Sequence, residues 1–168
     1  MQINSDKVSS FKEAMANYPT GVTVVTTIDE EGNPIGLTVN SFASVSLDPL
    51  LILWSIDKRV STYESFKKVD KFAVNILADN QAEIASVFAS RTSNQERFEK
   101  SDWDLSKNNL PIIKRAMATL QCKTFKQIEA GDHTIIIGEI SEIVVEKKSP
   151  LVYQGRKMGA LPTNFHEN

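Results

Sequence analysis

Small hydroxyl and amide side chains are concentrated within residues 36–56, between two apolar segments. Five of them fall in nine consecutive positions: Thr38, Asn40, Ser41, Ser44 and Ser46. Such side chains let backbone N–H groups approach a ligand and add adaptable donors and acceptors, whereas a simple turn needs few of them. This density predicts a loop that binds a small polar molecule.

A second group of candidate residues follows, where Ser61, Thr62 and Glu64 come after Lys58 and Arg59. The spacing of Ser61 and Glu64 is typical of a capping box, which places Ser61 or a neighbour at the start of a short helix. The free N–H groups and partial positive charge of that helix end attract anions, and the hydroxyl and basic side chains add to this attraction. Two interpretations are open at this point: a phosphate site, or a well-capped helix without a ligand.

His133 follows Gly131 and Asp132 at the turn of a predicted hairpin. It has the chemistry to hydrogen-bond a carboxamide or to transfer a proton, but a histidine at a hairpin turn is also commonly a solvated residue. The other histidine, His166, lies near the C-terminus, where mobility is expected.

Motifs of several other chemistries are missing. Two histidines and one cysteine, far apart in sequence, provide no set of zinc ligands. Cys122 lies in an apolar strand pattern and is predicted to be a core residue. No glycine-rich dinucleotide fingerprint or Walker motif occurs, so a bound dinucleotide is not held in the Rossmann manner.

The composition predicts one soluble globular domain. The chain has 168 residues, of which 41% are hydrophobic, and its 19 basic and 21 acidic side chains give a net charge of −2. This balance argues against nucleic acid or an anionic membrane as a partner. A single cysteine excludes a disulfide within the chain and fits a reducing compartment. The first ten residues lack the features of a signal peptide, and the apolar runs are shorter than the ~20 residues that cross a bilayer, so a cytoplasmic location is expected.

The predicted elements are mostly strands. A first helix should start at Ser9 or Ser10 and end before Pro19. The apolar residues of this helix, which share one face, are Phe11, Ala14, Met15 and Tyr18. Strands are predicted over residues 22–28, 35–40, 50–56 and 72–77, and a long hairpin over residues 117–128 and 134–145.

Short helices and loops complete the sequence-based layout. Capping boxes at Asn80–Glu83 and Ser93–Glu96 predict two helices. Residues 101–111 are predicted to be a loop. Because turns rather than helices join most strands, the sheet should be predominantly antiparallel. The expected fold is mainly β with peripheral helices, in a closed or partly closed barrel that forms a single domain over residues 1–168.

Taken in order, several segments resemble the flavin reductase-like family, whose split β-barrel binds FMN or FAD. The matching segments are residues 18–27, 36–49, 72–77, 80–81, 88–91, 131–133 and 150–153. They extend over about residues 8–160, and their ordered set is specific for the fold and for flavin. The resemblance therefore implies one flavin reductase-like domain with a split β-barrel.

The resemblance also implies roles for the candidate residues. Those implied beside the isoalloxazine ring and the ribityl chain, largely through backbone groups, are Thr38, Val39, Asn40 and Ser41, with Ser44 and Ser55 next to them. Ser61 and Thr62 are implied to meet the flavin phosphate, which Arg91 would approach from the next helix. His133 and Tyr153 are implied on the side where NADH or NADPH stacks on the flavin.

The function implied by the resemblance is that of an NAD(P)H-dependent flavin reductase. Hydride would pass from the nicotinamide to bound FMN or FAD, and the reduced flavin would supply a separate monooxygenase component. The cofactor carries this chemistry, so no catalytic side chain is required, with His133 as one candidate. Family relatives pair as homodimers, so a homodimer is expected.

Residues 154–159 match the usual ending of the family only loosely. This departure keeps a second hypothesis open, a flavin-binding protein of the same fold that transfers electrons or stores flavin without reductase turnover. A third hypothesis is a barrel without flavin that serves as a dimerisation or interaction module.

Overall fold

The computed structural model describes residues 5–165, which form antiparallel strands surrounded by short helices. Within these residues the helices are α1 Ser5–Asn17, α2 Tyr63–Lys68, α3 Ala82–Ala89 and α4 Asn94–Glu99, with a 3₁₀ turn at Thr163–Phe165. The strands are β1 Thr20–Gly21, β2 Thr23–Ile28, β3 Pro34–Val39, β4 Ala43–Leu47, β5 Leu50–Asp57, β6 Lys71–Ile76, β7 Trp103–Leu105, β8 Pro111–Ile113, β9 Ala118–Ala130, β10 His133–Val145, β11 Val152–Gln154 and β12 Lys157–Gly159.

Seven strands form the main sheet in the order β3-β2-β6-β9-β10-β5-β4, and every neighbouring pair is antiparallel. Within the described residues no ladder joins the two edge strands β3 and β4, so the sheet curls without closing. This open barrel confirms the predicted split β-barrel. The predicted long hairpin is β9 and β10, with His133 opposite Ala130 across a two-residue turn.

Two apolar clusters hold the layers together. Inside the barrel, Trp54 is fully buried and contacts Phe66 and Phe72 edge-to-face, with ring centroids 5.2 and 5.7 Å apart. Under α3 and α4, Phe98 packs edge-to-face between Phe88 and Trp103, each with a centroid distance of 5.1 Å. Such aromatic pairs stabilise a fold beyond the burial of their area. The second cluster fixes α3 and α4 on the outside of β3.

Cys122 confirms its prediction as a core residue. It is buried in the first cluster, opposite Phe72 on β6. Burial disfavours the thiolate and raises the pKa of the thiol to about 12. Cys122 is therefore not a nucleophile in the folded protein.

The prediction for the first helix is wrong at its start. Helix α1 already includes Ser5, so Ser9 and Ser10 lie inside it, and Ser10 Oγ donates back to the carbonyl of Asp6 at 2.9 Å. None of its described side chains is buried, and Phe11 is 66% exposed. The apolar face of α1 exists but has no partner within the described part of this one chain.

Two of the predicted capping boxes are also wrong. Thr62, the neighbour of Ser61, stands at the start of α2 as predicted, but it makes no side-chain capping bond, and the capping box of Ser61 and Glu64 does not form. The residue before α3 is Gln81 rather than Asn80, so the predicted capping box does not form. The side chain of Gln81 instead accepts a hydrogen bond from the Ala78 amide at 3.0 Å and stabilises the turn before the helix. The Ser93–Glu96 capping box is confirmed, with both reciprocal bonds present.

Two segments predicted as loops contain strands. Residues 43–47 form β4 because their backbone pairs with β5, although their side chains are mostly exposed. Ser44 and Ser46 therefore belong to an edge strand, and only residues 40–42 remain a loop. Strand β7 lies within residues 101–111 and pairs with β8.

His166 lies outside the described residues. Among those that are described, no helix has the length and apolar character needed to span a membrane. In the same part of the chain, no group of three or more histidine, cysteine or acidic residues is arranged to hold a metal ion.

Candidate functional site

A cavity of about 500 Å³ lies between β3, the turn before α2 and the end of α3. Its polar lining residues are Thr38, Arg59, Ser61, Thr62, Ser90, Arg91 and Arg97. Three of these are arginines, and none of the described lining residues is acidic. Hydroxyl donors and guanidinium groups without an opposing carboxylate are the chemistry of an anion site.

The turn before α2 presents two of these hydroxyl groups. The Val60 amide donates to the Asp57 carbonyl at 3.2 Å, and the Tyr63 amide donates to the Val60 carbonyl at 3.1 Å. These successive turns place Ser61 on the surface and Thr62 in a buried position. The Thr62 hydroxyl is not used to cap α2. Both hydroxyls are thus available to a ligand in the cavity.

Arg59 lines the cavity but is already neutralised. Its Nη2 lies 2.6 Å from Asp57 Oδ2, and its Nε donates to Asp57 Oδ1 at 3.0 Å. These hydrogen bonds hold the pKa of the Asp57 carboxyl well below its usual range. Arg59 therefore adds less net charge to the cavity than the other two arginines.

Arg97 is the residue of this cavity that sequence reasoning missed. Its Nη1 donates to the Gly36 carbonyl at 2.9 Å and its Nη2 to the Ser90 carbonyl at 2.5 Å. The side chain is 8% exposed, and burial lowers the pKa of Arg97. One feature of the sequence could have identified it: the Ser93 capping box fixes where α4 begins, and this places Arg97 next to Phe98 on the inner face of the helix.

Thr38 lines the cavity on β3, yet its hydroxyl has a structural bond. Thr38 Oγ1 donates to the Ala85 carbonyl at 2.7 Å and so ties β3 to α3. The close approach of these two elements requires Gly36, since a Cβ there would lie 2.8 Å from the Phe88 ring. Val39 is buried, and its carbonyl accepts from Thr23 Oγ1 at 3.0 Å. Thr38 therefore forms part of the cavity wall, whereas Val39 belongs to the buried core beside it.

Ser41 and Ser55 lie together at the end of the β4–β5 ladder. Ser41 Oγ donates to the Ser55 carbonyl at 3.1 Å and accepts from the Ser55 amide at 2.9 Å. Ser55 alternates with the buried Trp54 and Ile56, so its side chain lies on the outer face of β5. Asn40 is exposed, and Ser44 is exposed on β4, opposite Ile52. The structure joins Ser41 to Ser55 but holds Ser44 further along the edge strand.

His133 lies at the end of β10, opposite Asp57. Since paired residues share a face, His133 is on the same outer face as Ser55. His133 Nδ1 is 2.8 Å from Asp132 Oδ1. A hydrogen bond joins the turn before His133 to the end of β5, because the Lys58 amide donates to the Asp132 carbonyl at 3.0 Å.

Lys58 also pairs with Glu129 on the other side of the turn. Lys58 Nζ lies 2.5 Å from Glu129 Oε2 and donates to the Gly131 carbonyl at 3.0 Å. The bond to Lys58 lowers the pKa of Glu129, and the bond to Glu129 raises the pKa of Lys58. Both side chains are at the surface, so the pair orients the turn more than it stabilises the fold.

The structure does not bring Tyr153 to His133. Tyr153 is on β11, opposite Thr20 on β1, and packs against the second apolar cluster. Within the described residues, no hydrogen bond or ring contact joins the two side chains. Of the residues proposed from sequence, Thr38, Ser61, Thr62 and Arg91 line one cavity, Ser41, Ser55 and His133 are near β5, and Tyr153 is separate.

The structure thus combines an open antiparallel barrel with a cavity lined by arginine and hydroxyl side chains beside edge strand β3. Residues 15–162 match the sequence model of the family described as flavin reductase like domain. The chain therefore belongs to the flavin reductase-like family.

The chain is similar to flavin reductases in both sequence and structure. The chain is 41% identical, over 89% of its length, to an NADH-dependent FMN reductase of Agrobacterium fabrum, and it covers 84% of that protein. It is 42% identical, over 80% of its length, to the reductase component of the flavin-dependent trigonelline monooxygenase of Acinetobacter baylyi, but spans only 43% of that relative. A solved NADH:FAD oxidoreductase of Streptomyces globisporus, in complex with NAD and FAD fragments, superposes with a TM-score of 0.88 at 30% identity, covering 96% of this chain and 97% of the other.

Proposed function

We propose that the protein is an NAD(P)H-dependent flavin reductase that acts as one flavin reductase-like domain. The observation that carries this proposal is the arginine- and hydroxyl-lined cavity beside β3, α3 and the turn that follows β5. A flavin mononucleotide has a phosphate at one end and an isoalloxazine ring at the other. The cavity suits the phosphate, and the outer face around Ser41 and Ser55 suits the ribityl chain and ring. The names of the relatives support FMN or FAD as the flavin and NADH as the reductant.

Each side chain has a binding role in this proposal. Ser61, Thr62 and Arg91 hold the phosphate. The flavin, when bound, supplies the hydride-accepting chemistry, so no side chain needs to act as a nucleophile. The contribution of the protein is to fix two reactants in one orientation, which can be worth effective molarities of about 10⁵ M or more.

The nicotinamide side is assigned to His133. Its place on the outer face of β5 and β10, fixed by the Lys58 contacts, supports a role in orienting the carboxamide of NADH or NADPH. Tyr153 lacks this support because it packs on the second apolar cluster. The resemblance to the family remains the basis for the role of Tyr153.

We also propose that the working unit is a homodimer that supplies reduced flavin to a separate oxygenase. Monooxygenase reductase components among the relatives support the oxygenase partner. Phe11 and Met15 on α1 and Tyr18 directly after it support the dimer, since they form an apolar stripe that stays exposed within the described part of the chain. The predicted cytoplasmic location fits a nicotinamide-dependent enzyme and stays a prediction.

A steady-state assay tests the proposed function. Purified protein is combined with NADH or NADPH and with FMN, FAD or riboflavin, and oxidation of the nucleotide is followed by absorbance. We expect flavin-dependent oxidation with at least one nucleotide. No oxidation in any combination would contradict the proposal, and retention of flavin through gel filtration without oxidation would favour the electron-carrier hypothesis.

A further inference from the structure

Arg97 is a buried cation without a counter-charge in the described part of the chain. Its side chain is 8% exposed, and the ion pairs between described residues all involve other cations. Its Nε is buried and has no hydrogen-bond partner. Buried charges are normally paired, because removal from water disfavours an isolated charge. An unpaired buried arginine that lines a cavity is therefore a candidate partner for an anionic ligand.

The other two arginines of the cavity differ from Arg97. Arg59 is neutralised by Asp57, as the 2.6 Å contact shows. Arg91 is exposed, so water and salt screen its charge. The charge of Arg97 is surrounded by protein rather than by water. Electrostatic interactions are stronger in the protein interior, because its dielectric constant is lower.

Arg97 also connects the two walls of the cavity. One wall is β3, where the guanidinium holds the carbonyl of Gly36, two residues before Thr38. The other wall is the end of α3, where it holds the carbonyl of Ser90, directly before Arg91. Both hydrogen bonds use backbone carbonyls, which leave the positive charge of the guanidinium uncompensated. The same side chain thus sets the width of the cavity and its potential.

We propose that Arg97 is a positioning residue of the phosphate end of the flavin site, and that the flavin phosphate is the counter-charge that this arginine lacks. The proposal rests on the proposed function, which supplies the flavin. It predicts that the protein distinguishes flavins with a phosphate from riboflavin through Arg97. It also predicts that an anion in the cavity stabilises the fold, since a ligand that binds only the folded state raises its stability.

The test compares Arg97→Gln and Arg97→Lys with the wild type and with Lys100→Gln. The glutamine variant removes the charge and can keep one carbonyl bond, whereas the lysine variant keeps the charge. Lys100 ends the same helix, is exposed and lines a different cavity, so its variant controls for net charge. Dissociation constants for FMN and riboflavin are measured by fluorescence quenching. Melting temperatures without flavin are measured in inorganic phosphate and in chloride at matched ionic strength.

We expect Arg97→Gln to weaken FMN binding about tenfold or more while riboflavin binding changes only about twofold, because only FMN carries the anion. Arg97→Lys should retain an intermediate preference for FMN, and Lys100→Gln should behave as the wild type. Inorganic phosphate should raise the melting temperature of the wild type above that in chloride, and should not do so in Arg97→Gln.

An unchanged ratio of FMN to riboflavin affinity in Arg97→Gln would overturn the inference. If that variant does not fold, the wild type and Arg97→Lys decide: no stabilisation of the wild type by phosphate over chloride, or an FMN preference in the lysine variant equal to that of the wild type, overturns it. A wild type that binds neither flavin would refute the proposed function. Stabilisation by phosphate that still depends on Arg97 would, even then, support the anion site.

Discussion

The hydroxyl group of Ser41 satisfies both backbone polar groups of Ser55. Its oxygen accepts from the Ser55 amide at 2.9 Å and donates to the Ser55 carbonyl at 3.1 Å. Strand β4 pairs with β5 only as far as Leu53. Ser41 therefore continues the ladder with a side chain where the neighbouring strand has ended, and it fixes residues 40–42 against β5.

Ser41→Ala should reduce flavin binding and stability together. The Ser55 amide and carbonyl lose their partner, and each unmade hydrogen bond is worth about 1 kcal/mol. We expect FMN and riboflavin affinities to fall by a similar factor, about threefold to thirtyfold, with a lower melting temperature. Ser86→Ala, at an exposed serine of α3, serves as the control. If FMN were affected but riboflavin were not, Ser41 would have to act at the phosphate instead.

Ser61→Asp should weaken FMN binding through charge repulsion. The side chain of Ser61 lines the cavity, so a carboxylate there faces the flavin phosphate. We expect the FMN dissociation constant to rise about tenfold or more, with little change for riboflavin. Ser61→Asn has a similar size without the charge and should cause a smaller loss. Equal losses of FMN and riboflavin in the aspartate variant would place the phosphate elsewhere.

The sequence pattern singles out Ser61 and Thr62 but predicts the wrong local geometry around them. Ser61 and Thr62 were identified through a capping box that does not form, because turn bonds from residues 57–60 position them instead. The side chains of β4 do not predict a strand, since β4 forms through backbone hydrogen bonds to β5.

Arg97 was missed for a related reason. Its role depends on two carbonyls, of Gly36 and Ser90, that are 61 and seven residues away in the chain. Only the folded arrangement brings these groups to one guanidinium. By contrast, most strands of the main sheet and its antiparallel character could be predicted, because hydrophobic alternation and short turns are local properties of the sequence.

Asp57 should make the protein more stable at neutral pH than in acid. Arg59 lowers the pKa of Asp57 in the folded state, so the folded carboxylate binds protons more weakly than the unfolded one. The stability from this group is complete above the ordinary pKa of 3.8 and is lost as the pH falls below it toward the folded pKa. Urea unfolding between pH 7 and pH 3 should show the wild type losing its advantage over Asp57→Asn below about pH 4.

A control for Asp57 is the partner substitution Arg59→Gln. It removes the same hydrogen bonds, so the double variant should be little different from either single variant at neutral pH. Added salt should also narrow the difference between the wild type and Asp57→Asn, because the pair lies near the surface. An advantage of the wild type that persisted undiminished to pH 3 would contradict the assigned cause.

Cys122 should be unreactive in the folded protein. Burial raises the pKa of its thiol to about 12, above the ordinary value of 9.0, so the thiolate is scarce at pH 8. A thiol reagent should label the protein at pH 8 only after denaturant is added. The pH dependence of stability is opposite to that of Asp57. The buried thiol stabilises the fold fully below pH 9, and this stabilisation is lost as the pH rises from 9.0 toward the folded pKa of about 12. Cys122→Val should lack this alkaline loss, and rapid labelling of the native protein would contradict the prediction.

The apolar stripe of α1 gives the proposed homodimer its sharpest test. Phe11 is 66% exposed, and Met15, one helical turn later on the same face, is 48% exposed. If a second copy of the chain covers this face, a charge at Phe11 must be desolvated or must separate the copies. Phe11→Glu should therefore shift the mass measured by light scattering from two chains toward one. Ser9→Glu places the same charge on the opposite face of α1 and should leave the mass unchanged. A wild type with the mass of one chain, or equal masses for both variants, would show that α1 is not the dimer contact.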